Sequence, residues 1–177
     1  PAIMVYFNIS PETILADPNG DNIVPALGLA IDTSQDGLVP KALRPLLEKR
    51  IEMKKHLAST PAWDPFRKNF KRRASALKWL LVTCFGYLGY KNARFGRIEA
   101  HQAVTAYGRE ALLRAKEAAE DMGFEVIQLY VDGLWVYHPD KTRPEDINPL
   151  LLEIEERTGL PISLDGIYRW VVFVGSR

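Results

Sequence analysis

Two long amphipathic segments, joined by a connector too short and proline-rich to fold alone, set the strongest limit on this chain. Residues 40–57 place Leu43, Leu46, Leu47, Met53 and Leu57 on the inner side of one predicted helix. Residues 65–84 place Phe70, Ala74, Leu77, Leu81 and Cys84 on a stripe of a second. Between them, Ser59-Thr-Pro-Ala-Trp-Asp-Pro65 leaves room only for a tight connection. The two helices must therefore double back as an antiparallel hairpin.

Around this hairpin the pattern mixes helices and strands. Residues 3–7 are a short β-rich run broken by Ser10-Pro11-Glu12-Thr13, and residues 16–40 are Asp-, Gly- and Pro-rich loop with one short strand at 27–31. A third helix is expected over 99–122, with Ala100, Val104, Tyr107, Ala111, Ala115, Ala118 and Met122 on one stripe and Gly123 as its stop. Residues 125–132 read as a strand, Asp132-Gly133 as a hairpin turn into 134–137, then a helix at 144–158 and strands within 162–174. This order predicts an α+β fold: an antiparallel sheet with helices on one face, not a doubly wound one.

A chain of 177 residues, 47% apolar, buries a real core as one domain, or one domain with a projecting arm. The lone Cys84 excludes an internal disulfide framework and fits a reducing cytoplasm. No apolar run approaches the roughly 20 residues of a membrane span, so no membrane partner is expected. The chain opens on Pro1 with a strand already in progress, which reads as a piece of something larger.

The net charge of +1 hides a segregation. Between Lys41 and Arg97 there are fifteen Lys/Arg against Glu48, Glu52 and Asp64, a balance of +12; the remainder carries eight basic and nineteen acidic residues, or −11. Such a split is the footprint of a polyanion-binding element beside an acidic one, although two oppositely charged solvated faces fit it as well.

Three constellations carry candidate chemistry. On the second helix Arg67, Lys71, Ser75, Lys78 and Val82 share a stripe, and on the first Arg50 and Lys54 sit four apart. Converging cations of this kind suit a triphosphate, whose charge must be neutralised while its oxygens are held; a solvated basic face is the plainer reading of the same spacing. After Phe85-Gly86 comes a Gly/Tyr-rich loop with Tyr87, Tyr90, Lys91, Arg94 and Arg97. Its glycines (86, 89 and 96) admit close backbone approach, and its aromatics and cations suit stacked bases and phosphates. Tyr130-Val-Asp132-Gly133 puts a carboxylate at a strand end, with residues 130 and 132 expected on one side; it also fits a plain hairpin turn. His56, His101 and His138 lack metal-ligand spacing and are expected on surfaces or in cap contacts. Cys84 and the four tryptophans (63, 79, 135 and 170) are expected to pack.

In this order the stretches resemble the family B DNA polymerases. Lys78 to Gly86 resembles their B motif, Lys-x-x-x-Asn-Ser-x-Tyr-Gly, with Lys78, Phe85 for Tyr and Gly86 in register, Val82 replacing Asn and Thr83 replacing Ser. Arg50 and Lys54 match the Arg and Lys of the first fingers helix. Tyr130 and Asp132 fall on the two carboxylates of the Asp-Thr-Asp C motif, Tyr130 replacing the first. Pro1-Ala-Ile3 resembles the Pro-Ser-Ile tail of the A motif, whose Asp would lie upstream, and Asp165 to Arg177 resembles the final palm strands.

The resemblance implies a palm (1–39 and 87–177) with an inserted two-helix fingers hairpin (40–86). It implies template-directed addition of a dNTP to a primer 3′ end, with primer-template DNA as partner and the rest of the polymerase chain, or another polymerase subunit, beside it. Arg50, Lys54 and Lys78 would hold the nucleotide phosphates, and Asp132 would be the catalytic carboxylate and Mg²⁺ ligand. The altered motifs resemble those of a divergent archaeal branch and imply impaired catalysis with weak or absent Mg²⁺ binding. A non-catalytic DNA- or nucleotide-binding subunit or regulator with the polymerase fold is the alternative, and an unrelated nucleic-acid-binding α+β module a more distant one.

Overall fold

The computed structural model describes residues 1–17 and 22–175. Residues 18–21 of the expected loop and 176–177 at the end of the expected final strands lie outside the described residues. Helices α1 (Ala2–Tyr6), α2 (Leu38–Ser59), α3 (Arg67–Leu88), α4 (Ile98–Asp121) and α5 (Pro144–Thr158) accompany strands β1 (Ile14–Leu15), β2 (Ile23–Val24), β3 (Leu29–Ile31), β4 (Glu125–Tyr130) and β5 (Gly133–Tyr137). The chain divides into two compact units, Pro1–Gly108 and Arg109–Arg177, with α4 contributing residues to both.

In the first unit the expected hairpin forms, α2 packing on α3. The apolar stripes point inward as their spacing requires: Leu43, Ala74, Leu81 and Leu88 are buried, and Leu46, Leu47, Met53, Leu57, Phe70, Leu77 and Cys84 partly so. The second helix runs two residues beyond Gly86, so the start of the expected loop is helical. Residues 3–7 are not a strand. They form most of α1, burying Met4 and Val5 against α2, because a short apolar run fits either state and packing decides. The strands β1, β3 and β2 form a small antiparallel sheet in that order. Ile14, Val24 and Ile31 join Met4, Ile9, Leu43, Leu81, Leu88, Ala100 and Val104 in one core.

The N-terminus of α2 is capped from a distance. Its N-cap, Gly37, has no side chain, and the first amides are satisfied by a turn some 26–29 residues upstream. Glu12 Oε1 accepts from the Leu38 N–H, Ser10 Oγ accepts from the Val39 N–H at 3.1 Å, and the Ser10 hydroxyl donates to Glu12 Oε2 at 2.7 Å. The carboxylate also faces the positive end of the helix dipole.

In the second unit, β4 and β5 form an antiparallel hairpin with a register shift between Val126 and Gln128. Phe124, Ile147, Leu150 and Ile154 pack with Ala115, Ala118 and Ala119. Arg157 ties α5 to α4, bonding Asp121 at 2.6 Å and Glu153 at 2.6 Å. The expected strands within 162–174 are absent: residues 161–175 pair with no strand, and Trp170, Val172 and Val174 are exposed. A β-rich sequence becomes a strand only where a neighbour accepts its ladder, and none of the described residues does so here. The α+β class therefore holds, but the strands form two separate small sheets in place of the single expected one.

Partial desolvation raises the Glu12 pKa, but the bonds from Leu38 N–H and the Ser10 hydroxyl outweigh it and hold the group below the usual value near 4.5. A depressed carboxylate contributes stability that is present above that value and lost as pH falls through the lowered one. Ser10→Ala is expected to cost about 1 kcal/mol of stability at pH 7. Glu12→Gln should be destabilising at pH 7, with its difference from the parent shrinking as the pH is taken below about 4.5. Urea melts across that range check both.

Candidate active site

The hairpin presents cations on an unusual background. Helix α3 carries Arg67, Lys68, Lys71, Arg72, Arg73 and Lys78 and no Asp or Glu, and none of these six forms an ion pair among the described residues. One is occupied by the fold: Arg67 Nη1 donates to the Leu57 carbonyl at 2.6 Å and to that of Thr60, closing the connector. His56 stacks on Phe70 across the hairpin, ring centroids 5.8 Å apart. Lys54 and Lys78 are exposed. Arg50 is half-buried, and its Nε is a buried donor with no hydrogen-bond partner among the described residues. A buried N–H left unpaired costs about 1–3 kcal/mol, so an anionic oxygen reaching this atom would gain a charged hydrogen bond.

The residues around the B-like motif are held by a lock that the sequence did not announce. Phe85 stacks on His101 of α4, centroids 4.2 Å apart, and His101 Nδ1 lies 3.2 Å from the Phe85 carbonyl oxygen. A Cβ on Gly89 would fall 2.9 Å from the same ring, and one on Gly96 would fall 2.5 Å from the Tyr90 carbonyl. These two glycines therefore admit close approach by the chain itself, whereas a Cβ on Gly86 meets open space. His101 is thus a packing partner whose ring nitrogen meets a carbonyl of the last turn of α3, the cap contact expected of it and not an open surface position. Val82, where the motif has Asn, is 45% exposed, and Thr83 spends its hydroxyl on the Trp79 carbonyl at 2.8 Å.

The loop after α3 divides by role. Tyr87 and Tyr90 are about half exposed with rings 6.4 Å apart, and Lys91 and Arg94 are exposed, Arg94 lying over Phe95. Arg97 is tied down: its Nη1 donates to the carbonyls of Pro11 at 2.7 Å and Ile14 at 3.0 Å, and its Nε lies 3.5 Å from Glu99. It fastens the loop to the segment that caps α2. On the other flank of α3, Val39, Leu43, Leu80, Cys84, Tyr87 and Phe95 line an open apolar groove of about 210 Å³. Cys84 takes its expected apolar place, but three tryptophans do not: Trp63, Trp79 and Trp170 are 83%, 69% and 77% exposed.

In the second unit, Tyr130 pairs with Gly133, so the two-residue turn is Val131-Asp132 and Asp132 lies on the turn, not on the strand as expected. Val131 adopts φ +43, uncommon for a β-branched residue, and Tyr130, Val131 and Asp132 are all exposed. Two divalent ions would need several converging carboxylates. This turn supplies one, and no group of three His, Cys, Asp or Glu among the described residues is placed to hold a metal. The donor set does not fit a metal pair. No helix among the described residues is long and apolar enough to cross a membrane.

The sequence and the fold both find relatives. The sequence model described as DNA polymerase family B matches residues 1–144. DNA polymerase 2 of Saccharolobus solfataricus is 35% identical over 177 residues, covering all of this chain and 24% of that protein. DNA polymerase 2 of Aeropyrum pernix is 32% identical, covering all of this chain and 22% of that protein. The structure of the family B DNA polymerase from Pyrobaculum calidifontis superposes with a TM-score of 0.71 at 30% identity, covering 95% of this chain and 22% of the other. The chain spans about a quarter of the length of the curated relatives it matches. With its ordered motifs, its hairpin and its matched sequence model, this chain belongs to DNA polymerase family B.

Proposed function

We propose that the chain is the nucleotide- and DNA-binding part of a DNA-directed DNA polymerase, with residues 1–39 and 87–177 as palm and 40–86 as fingers. Its task is to hold a dNTP by the phosphates against primer-template DNA. The observation that carries this reading is the Arg50 Nε, which among the described residues has no hydrogen-bond partner, on a hairpin whose α3 cations form no ion pair among the described residues. Arg50, Lys54 and Lys78 supply N–H donors that neutralise and orient the triphosphate, which is the positioning part of phosphoryl transfer. Tyr87, Tyr90, Lys91 and Arg94 offer rings and cations to the DNA, and Arg97 belongs to that surface through the loop it fastens.

The family reaction uses divalent ions. Asp132 is the one C-motif carboxylate here, and with Tyr130 beside it the turn lacks the donors for two of them. We therefore assign this chain binding rather than complete catalysis. The exposed Tyr130 and Val82, each in place of a polar or anionic family residue, also favour a second reading: a non-catalytic nucleotide- or DNA-binding subunit that kept the polymerase fold.

The purified chain should not extend a primer with Mg²⁺ and all four dNTPs; robust extension would reject the impairment. Nucleotide binding should persist in chelator, and Lys78→Ala should weaken it by about tenfold or more, the loss of one charged hydrogen bond. Calorimetry that finds all affinity abolished by chelator would show a working metal site instead. For DNA, a Lys91→Gln/Arg94→Gln pair should lower the salt slope of binding by about one unit per lost phosphate contact. An unchanged slope would make the loop mere solvated surface.

A further inference from the structure

We propose that the outward face of α3, centred on Trp79, is a stacking platform for an unpaired base of single-stranded nucleic acid, with Arg72 and Lys68 taking the neighbouring phosphates. It rests on the nucleic-acid reading above but uses residues outside the nucleotide site and the loop.

Helical spacing sets the geometry. Residues 68, 72, 75, 79, 82 and 86 fall within a narrow arc opposite the buried Ala74, Leu81 and Leu88. All six are exposed, and Trp79 is 69% exposed. An indole is a large apolar surface to leave in water, and such exposure in the middle of a cationic helix asks for a ligand with a flat apolar face and negative charge. A nucleotide has both. Arg72 lies two turns from Trp79, about 10 Å along the axis, within reach of an adjoining phosphate for a long side chain. Lys68 is one turn further.

Charge selects the partner. The helix offers cations and no carboxylate, so an acidic ligand pairs with it unopposed. A lipid surface would need a continuous apolar stripe, but Ser75, Gly86 and the two cations interrupt this one. Duplex DNA would contribute phosphates without an accessible base face, so the single-stranded form is favoured.

The test is fluorescence titration of the chain with an oligothymidylate, a blunt duplex of equal length, and equimolar phosphatidylserine–phosphatidylcholine vesicles. Trp79→Ala should weaken oligothymidylate binding by about tenfold, as expected for one lost base–aromatic stack. Trp79→Phe should retain affinity within roughly threefold, since a ring still stacks, while losing part of the tryptophan quenching. Lys68→Gln/Arg72→Gln should reduce the salt slope by about 0.7 per phosphate contact. Circular dichroism should show all variants folded, the side chains being exposed.

If Trp79→Ala binds the oligonucleotide like the parent while Lys91→Gln/Arg94→Gln binds it less well, the platform is wrong and the loop reading stands. Absence of oligonucleotide binding by the parent overturns both. Vesicle binding that depends on Trp79 and exceeds oligonucleotide binding assigns the face to a membrane surface and overturns the proposal.

Discussion

Burial of one stripe of α3 against the core decides where every charge on that helix goes. Ala74, Leu81 and Leu88 turn inward, so the six cations must lie on the flanks and the outer face. Nothing acidic on the helix answers them. Like charges along one helix oppose its formation slightly at each i,i+4 spacing, and the packing of the stripe outweighs that cost. What remains is a rigid element with positive potential on it, a form in which electrostatic binding requires little rearrangement. The cationic hairpin thus follows from the apolar pattern as much as from the count of Lys and Arg.

The end of that helix is held as firmly as its middle. His101 lies flat on Phe85, Gly89 leaves space for the imidazole, and Arg97 ties the loop to carbonyls of the segment that also caps α2. One small region therefore sets both the start of the first hairpin helix and the exit from the second. Binding loops serve best when a stiff scaffold positions them, and here the scaffold includes residues that resembled ligand contacts. Gly89, Gly96 and Arg97 face the protein, while Tyr87, Tyr90, Lys91 and Arg94 face outward.

The legible parts of the fold were those written in local spacing. The hairpin, α4, the β4–β5 turn and α5 each announce themselves by apolar period, a Pro-rich connector or a Gly stop, and appear within a few residues of expectation. Residues 3–7 and 162–174 depart from their strand pattern because a β-rich run does not say whether a ladder partner is present. Of the site, the cations and Asp132 could be named from motifs alone. The Arg97 clamp could not, since its acceptors lie 83 and 86 residues away in sequence. Trp79 and Trp63 were expected to pack, a fair rule for indoles that an outward helix face and an exposed connector override.

The replaced motif residues and the retained cations point in different directions, and that division is the central proposal: the chain keeps cations suited to an anion where its C-motif position has Tyr130 in place of a carboxylate. Arg50 is its most exposed point of failure, because its Nε–H has no hydrogen-bond partner among the described residues. The direct measurement is the ¹⁵Nε–¹Hε resonance of Arg50, followed by NMR while dNTP is added in the presence of chelator. The account expects this resonance to shift saturably and its solvent exchange to slow as a phosphate oxygen accepts the bond. A resonance unmoved at nucleotide saturation, or one that moves only when Mg²⁺ is restored, would contradict it.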